Sequence, residues 1–95
     1  MRKNQGNSPK IKEAAEWMLK ELERTQFLHQ QVAVYELKER FGDGVVYIND
    51  QGNDAISKQV LDEFKKLTEG AVIWERGEKV WRKREDFDAP GRQQN

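Results

Sequence analysis

The chain has 95 residues, enough for one small domain, and its 17 basic residues balance its 17 acidic residues. This zero net charge excludes a strong whole-protein field toward nucleic acid or an anionic membrane. The sequence has no cysteine, which excludes disulfides and thiolate metal ligands, and no apolar run approaches the roughly 20 residues of a membrane span. We therefore expect a cytoplasmic domain without membrane contact.

The first predicted element is an amphipathic helix from Pro9 to about Arg24. Residues 1–8 are polar and lack periodicity, so we expect a disordered N-terminal arm. The Ser8 hydroxyl can accept from free N–H groups of the first turn, and proline is favoured at the first helical position. Apolar residues follow at spacings of three and four, as expected for a helix face that packs on a core: Ile11, Ala14, Ala15, Met18 and Leu22.

The middle of the chain predicts a short strand, a helix, a second strand and another helix. Phe27-Leu28 is the first strand, and helix 31–41 ends before Gly42, a favoured cap residue. The run 45–48 is a strand because turn-forming residues flank it on both sides. Asn53 or Asp54 then caps a helix over 54–68, whose core stripe is Ile56, Val60, Leu61, Phe64 and Leu67.

The last predicted element is a hairpin that turns at Arg76-Gly77, where glycine would supply a positive φ. A three-residue loop over 76–78 would place Trp74 opposite Val80, and a two-residue loop would shift the partners by one. The domain then spans 9–86, and residues 87–95, which contain Pro90-Gly91, form an irregular tail. The predicted fold class is α+β, with three helices, a small antiparallel sheet and a C-terminal β-hairpin wing.

This order of elements resembles the winged-helix class, a helix-turn-helix-like fold, and most of all the small winged domains fused to chromatin and restriction proteins. More closely, four segments of the chain are similar to a group of small bacterial proteins that share a domain of unknown function. That resemblance covers nearly the whole chain and implies no activity, substrate or site residue. One departure from a winged-helix DNA reader is the strand 45–48, which lies where such proteins have a tight turn. The four segments are 14–19, 34–42, 46–49 and 74–78.

Two surfaces are candidates for binding. The first is nucleic-acid binding through helix 54–68 and the basic wing 76–84, with Lys58, Gln59, Lys66, Arg76, Lys79, Arg82, Lys83 and Arg84 as contacts. Asp62 and Glu63 lie within the would-be reading face, and pairs such as Lys58 with Asp62 are ordinary on a solvated helix. The wing is therefore the stronger nucleic-acid signal.

The second candidate surface is an interface formed by Trp74, Trp81 and Arg76, because tryptophan and arginine are enriched in binding hot spots. The two indoles lie on different strands of the hairpin and could occupy different faces, with one in the core. Alternatively, the first helix and the tail cover both.

No motif for catalysis, metal binding or cofactor binding is present in the sequence. His29 is the only histidine, and no serine lies close to it in sequence. The segment 49–54 has its glycine at the wrong position for a calcium loop and lacks the closing glutamate. We therefore expect no catalytic residue, no metal and no cofactor. The predicted function is a non-enzymatic interaction module that binds a protein partner or itself through the aromatic and basic hairpin, with nucleic-acid binding as the alternative.

Overall fold

The structure, a computed structural model, describes residues 8–86, 88 and 90–94. Apart from Ser8, the predicted N-terminal arm lies outside these residues. The described chain is an α+β fold, as predicted. Its helices are α1 (Pro9–Thr25), α2 (Gln30–Phe41) and α3 (Lys58–Thr68). Its strands are β1 (Phe27–His29), β2 (Val46–Ile48), β3 (Asp54–Ile56), β4 (Val72–Glu75), β5 (Val80–Lys83) and β6 (Gln93–Gln94).

Helix α1 is the central element of the core. The Ser8 hydroxyl accepts from the Ile11 N–H at 3.3 Å, so the predicted cap is present. All five residues of the predicted apolar stripe are buried. They pack mainly against α3, whose Val60 and Phe64 are also fully buried. Burial of a large side chain of this kind is worth about 1.5–3 kcal/mol, which explains why so polar a chain folds.

Helix α3 starts at Lys58, so the predicted start at residue 54 is wrong. Residues 54–56 are extended instead and pair antiparallel with β2, with Ile56 opposite Val46. Ser57 is the true N-cap, because its hydroxyl accepts from the Val60 N–H. The Ser57 hydroxyl therefore satisfies a free N–H group of the first helical turn. The backbone of residues 54–56 is hydrogen-bonded in the pair of β3 with β2.

The apolar stripe of α3 also differs from the prediction at its end. Leu67 is exposed, and Thr68 is buried in its place. Thr68 lies one helical turn after Phe64, and its hydroxyl donates to the Phe64 carbonyl oxygen at 2.7 Å. A threonine can occupy this core position because that hydrogen bond satisfies its polar group.

The main sheet has the strand order β1-β5-β4-β6. Strands β1, β5 and β4 are antiparallel, and the hairpin between β4 and β5 has a four-residue loop, Arg76 to Lys79. Neither of the two loop lengths considered is found, and Trp74 pairs with Trp81, one residue beyond the Val80 expected for a three-residue loop. The positive φ of the loop belongs to Lys79, at 53°, and not to Gly77. Loops of this length form around a turn that places its left-handed residue last.

Strand β6 extends the sheet beyond the predicted domain end at residue 86. It runs parallel to β4, with Gln93 beside Trp74 and Gln94 beside Glu75. The Trp74 N–H donates to the carbonyl oxygen of Arg92 at 2.7 Å. The described residues of the predicted irregular tail therefore include a strand that covers one edge of β4.

Candidate interaction surface

An open groove of about 690 Å³ lies beside α2. One wall is α2, and the other walls are the turn that joins β2 to β3 and the loop of the β4–β5 hairpin. A volume of this size lies within the range of pockets that hold small ligands or short peptide segments. The groove is lined by His29, Gln30, Gln31, Val34, Tyr35, Lys38, Asn49, Gln51, Asn53, Asp54, Ala55, Glu78 and Lys79.

Two local arrangements fix the shape of this groove. Lys38 of α2 forms an ion pair with Asp54 of β3 at 3.1 Å, which ties the helix wall to the β2–β3 hairpin. The Asn49 side-chain oxygen accepts from the backbone N–H groups of Gln51 and Asn53, both at 3.0 Å. This Asx-type turn orders the loop without any tertiary contact. The floor and one rim of the groove are therefore preformed.

Large apolar side chains are exposed on the two elements beside the groove. Val32 and Tyr35 on α2 are 53% and 62% exposed, and Tyr47 and Ile48 on β2 are 52% and 63% exposed. Tyr47 and Ile48 pair with Ala55 and Asp54, which line the groove. Sequence reasoning did not select these residues. The signal available in the sequence was their position. Val32 and Tyr35 lie off the core stripe of α2, and Tyr47 and Ile48 lie in a strand with too few apolar partners to cover them.

The helix part of the predicted nucleic-acid surface is largely neutralised. Lys58 forms an ion pair with Asp62 at 2.9 Å, and Lys66 lies 3.5 Å from Glu63. Gln59 is exposed between them. Glu63 was predicted to face solvent, but it is buried. The exposed face of α3 thus carries two ion pairs between residues one turn apart, of which Lys58 with Asp62 was predicted and Lys66 with Glu63 was not.

The hairpin bases divide into an exposed set and a paired set. Arg76, Lys79 and Lys83 are exposed. Arg82 is not available for phosphate contact, because its side chain is only 13% exposed and forms ion pairs with Glu75 and Asp88. Arg84 donates to the carbonyl oxygen of Gly91.

Arg82 and Asp88 form a bidentate ion pair. Two parallel hydrogen bonds, of 2.7 and 3.0 Å, join the guanidinium to the carboxylate, whose side chain is 3% exposed. Arg82, together with the backbone N–H of Glu85, lowers the pKa of Asp88 to about 2. The hydrogen bonds that the Arg82 guanidinium donates to the carboxylates of Asp88 and Glu75 in turn raise the pKa of Arg82. These groups hold the tail against the domain.

The predicted indole interface is mostly covered. Trp74 and Trp81 lie on the same face of the sheet, with ring centroids 4.6 Å apart, so the suggested placement on different faces is wrong. Trp81 is 5% exposed and meets Phe64 edge to face at 5.5 Å. Trp74 is half-buried against the same core. Arg76 is exposed in the hairpin loop and makes no ion pair with another described residue.

A family model described as "Family of unknown function (DUF6953)" matches residues 10–83. The chain belongs to this family. The comparisons with curated proteins and with solved structures found no significant match. The DUF6953 match contains all residues that line the groove and ends at Lys83, the last residue of β5. The tail that covers β4 lies outside the matched part.

The ionisable groups of the DUF6953 domain include no assembled metal site. Among residues 8–86, 88 and 90–94, no three His, Cys, Asp or Glu side chains are grouped as metal ligands. His29 is exposed at the N-cap of α2, and its side chain makes no capping hydrogen bond. None of the described helices has the length and apolar character needed to cross a membrane.

Proposed function

We propose that this DUF6953 domain is a non-enzymatic interaction module that binds an extended segment of a protein partner in the groove beside α2. The single observation that carries the proposal is the position of the exposed apolar residues. Tyr35 of α2 is exposed and lines the groove, and the exposed Tyr47 and Ile48 of β2 pair with Ala55 and Asp54, which also line it. Exposed apolar groups gathered around a polar groove are typical of protein-binding sites.

The groove chemistry favours a polypeptide over a polyanion. Five of its thirteen lining residues carry side-chain amides, which both donate to and accept from a peptide backbone. Its charges are mixed, with Lys38 paired to Asp54 and Lys79 following Glu78 in the hairpin loop. Tyr35 provides an exposed aromatic ring of the type found in binding hot spots. The groove therefore offers hydrogen bonds to the backbone of a bound peptide and one aromatic anchor, Tyr35.

A non-enzymatic role is supported by the state of the groove's ionisable groups. The Asp54 carboxylate is held by Lys38, and the groove is open, so no water-excluded acid and base face each other there. We also propose a cytoplasmic location, in keeping with the absence of cysteine from the sequence.

The proposal is tested by selecting peptides from a random displayed library on the full chain and measuring their affinities by fluorescence anisotropy. We expect Tyr35→Ser to weaken the selected peptides about tenfold or more, because a central aromatic anchor is lost. The matched control is Leu67→Ser, which removes an exposed apolar side chain from α3. Equal weakening by both variants, or failure to select any peptide, would contradict the proposal. Light scattering on the same samples identifies a second copy as the partner if Tyr35→Ser disrupts a dimer.

Nucleic-acid binding through the wing is a second candidate. It is favoured by Arg76, Lys79 and Lys83, which are exposed and have no ion-pair partner among the described residues. If it holds, binding to mixed-sequence duplex DNA falls steeply with salt and is lost when these three become alanine. Lys58→Ala with Lys66→Ala is the matched control on α3. A flat titration at low salt removes this candidate.

A further inference from the structure

The outer edge of β4 is covered by the chain's own tail. Without β6, this edge of the sheet would carry unpaired backbone groups, and such edges accept additional strands. The tail occupies it with the parallel pairing of β6 and with the hydrogen bond from the Trp74 N–H to the Arg92 carbonyl oxygen. The Arg92 guanidinium also donates to the Val72 carbonyl oxygen at 3.4 Å. The edge therefore already holds an extended segment.

Two side chains of the tail fit sites on the domain. The Asp88 carboxylate binds the Arg82 guanidinium through two hydrogen bonds. The Arg92 guanidinium lies over the ring of Phe64, 5.6 Å from its centroid, where burial lowers its pKa. A cation placed over an aromatic ring in this way is attracted to its face. The two sites thus select an acidic residue and, four positions later, an arginine.

Both of these sites belong to the family-matched part of the chain, and the tail does not. Arg82, Phe64 and all of β4 lie within residues 10–83, whereas Asp88, Arg92 and β6 lie beyond them. The matched domain alone would present the outer edge of β4, with Arg82 of the neighbouring strand β5 on one face of the sheet and the Phe64 ring on the other. Those are the elements of a peptide-docking strip.

We infer that the outer edge of β4 is a docking strip for an extended partner segment that carries a carboxylate and, four residues later, an arginine. In this chain the tail occupies the strip in cis and competes with that partner. The apparent affinity for a partner is then reduced by the fraction of molecules whose tail is released. This strip is separate from the groove beside α2, and it does not depend on the function proposed there.

The test uses the full chain and a labelled synthetic peptide of residues 85–95 as the probe. The released-tail variant combines Asp88→Asn with Arg92→Ala, and Asp86→Asn is the control for charge, because Asp86 is exposed. We expect the released-tail variant to bind the peptide at least about tenfold more tightly than the wild type or the control. Peptide carrying the same two substitutions should lose this binding.

Nuclear magnetic resonance locates the bound peptide and separates this site from the groove. Peptide-induced shifts should fall on the amides of Val72 to Glu75 and not on the groove walls. If the double variant does not fold, Arg92→Ala alone provides a milder release with a smaller gain in the same direction. Equal affinities for the wild type and the variant, or binding that ignores the peptide substitutions, would overturn the inference.

Discussion

The two hairpins of this domain carry similar residues but have opposite exposure. The β2–β3 hairpin leaves Tyr47 and Ile48 about half exposed or more, whereas the β4–β5 hairpin buries Trp81 and half-buries Trp74. The second hairpin packs on Phe64 of α3 and is covered at its edge by β6. Neighbouring elements therefore decide which aromatic strand is core and which is surface. We expect the two hairpins to respond differently to matched substitutions.

The largest difference is expected from removal of an aromatic side chain. Trp81→Ala should lower the free energy of unfolding by about 3–5 kcal/mol, because it leaves a cavity beside Phe64. Tyr47→Ala should change it by no more than about 0.5 kcal/mol, because that ring is exposed. Urea unfolding followed by circular dichroism measures both. Comparable losses would show that the hairpins do not differ in this way.

A smaller difference is expected at the two turns. Gly52 in the β2–β3 turn has a φ of +80°, so Gly52→Ala should cost about 1–2 kcal/mol. Gly77 lacks a positive φ, and a Cβ added there meets no atom within 4 Å. Gly77→Ala should therefore be neutral or stabilise by up to about 1 kcal/mol, by restricting the unfolded chain. Thermal unfolding measures both variants. A marked loss of stability in Gly77→Ala would support the positive φ at Gly77 that the sequence predicted.

A pH dependence is expected from the ion pair that joins Arg82 of the covered hairpin to Asp88 of the tail. The pKa of Asp88 lies at about 2, below its ordinary 3.8, because the Arg82 guanidinium binds the carboxylate. A lowered pKa means that its contribution to stability is present above about pH 4 and is lost as the pH falls toward 2. The stability difference between wild type and Asp88→Asn should shrink over that interval in urea unfolding.

A matched substitution completes the pH experiment. The reference is Asp86→Asn, measured over the same pH interval, because it removes an exposed carboxylate that makes no ion pair with another described residue. A wild-type to Asp88→Asn difference that stays constant from pH 5 to pH 2 would show that the ion pair does not hold the tail.

The sequence predicted the elements that depend on local signals. The Ser8 cap and the apolar stripe of α1 are confirmed, because both are set by short-range spacing. Helix α3 began later than predicted, because Asn53 and Asp54 cap as well as Ser57 does on propensity alone. The pairing of β3 with β2 is a tertiary contact, and it determines which of these residues caps the helix. The length of the β4–β5 loop was not predicted for a similar reason, because the position of Gly77 alone does not determine it.

The candidate site was less predictable than the fold. Among the residues selected for binding, the structure uses Trp74, Trp81 and Arg82 in packing or in holding the tail. Arg76, Lys79 and Lys83, which were also selected, are exposed. Tyr35 and Ile48 stand out only when the helices and strands are assembled. The position of β6 could not be predicted, because a two-residue strand carries no periodic signal.

Rate-resolved oxidative footprinting of the full chain tests the contrast between the two hairpins most directly. Each side chain is compared with the same residue in the urea-unfolded chain, which removes differences in intrinsic reactivity. We predict little protection for Tyr35 and Tyr47, strong protection for Trp81, and protection of Trp74 that is lost in the variant with Asp88→Asn and Arg92→Ala. Equal protection of the tyrosines and tryptophans would contradict the account, and so would protection of Trp74 that does not change when the tail is released.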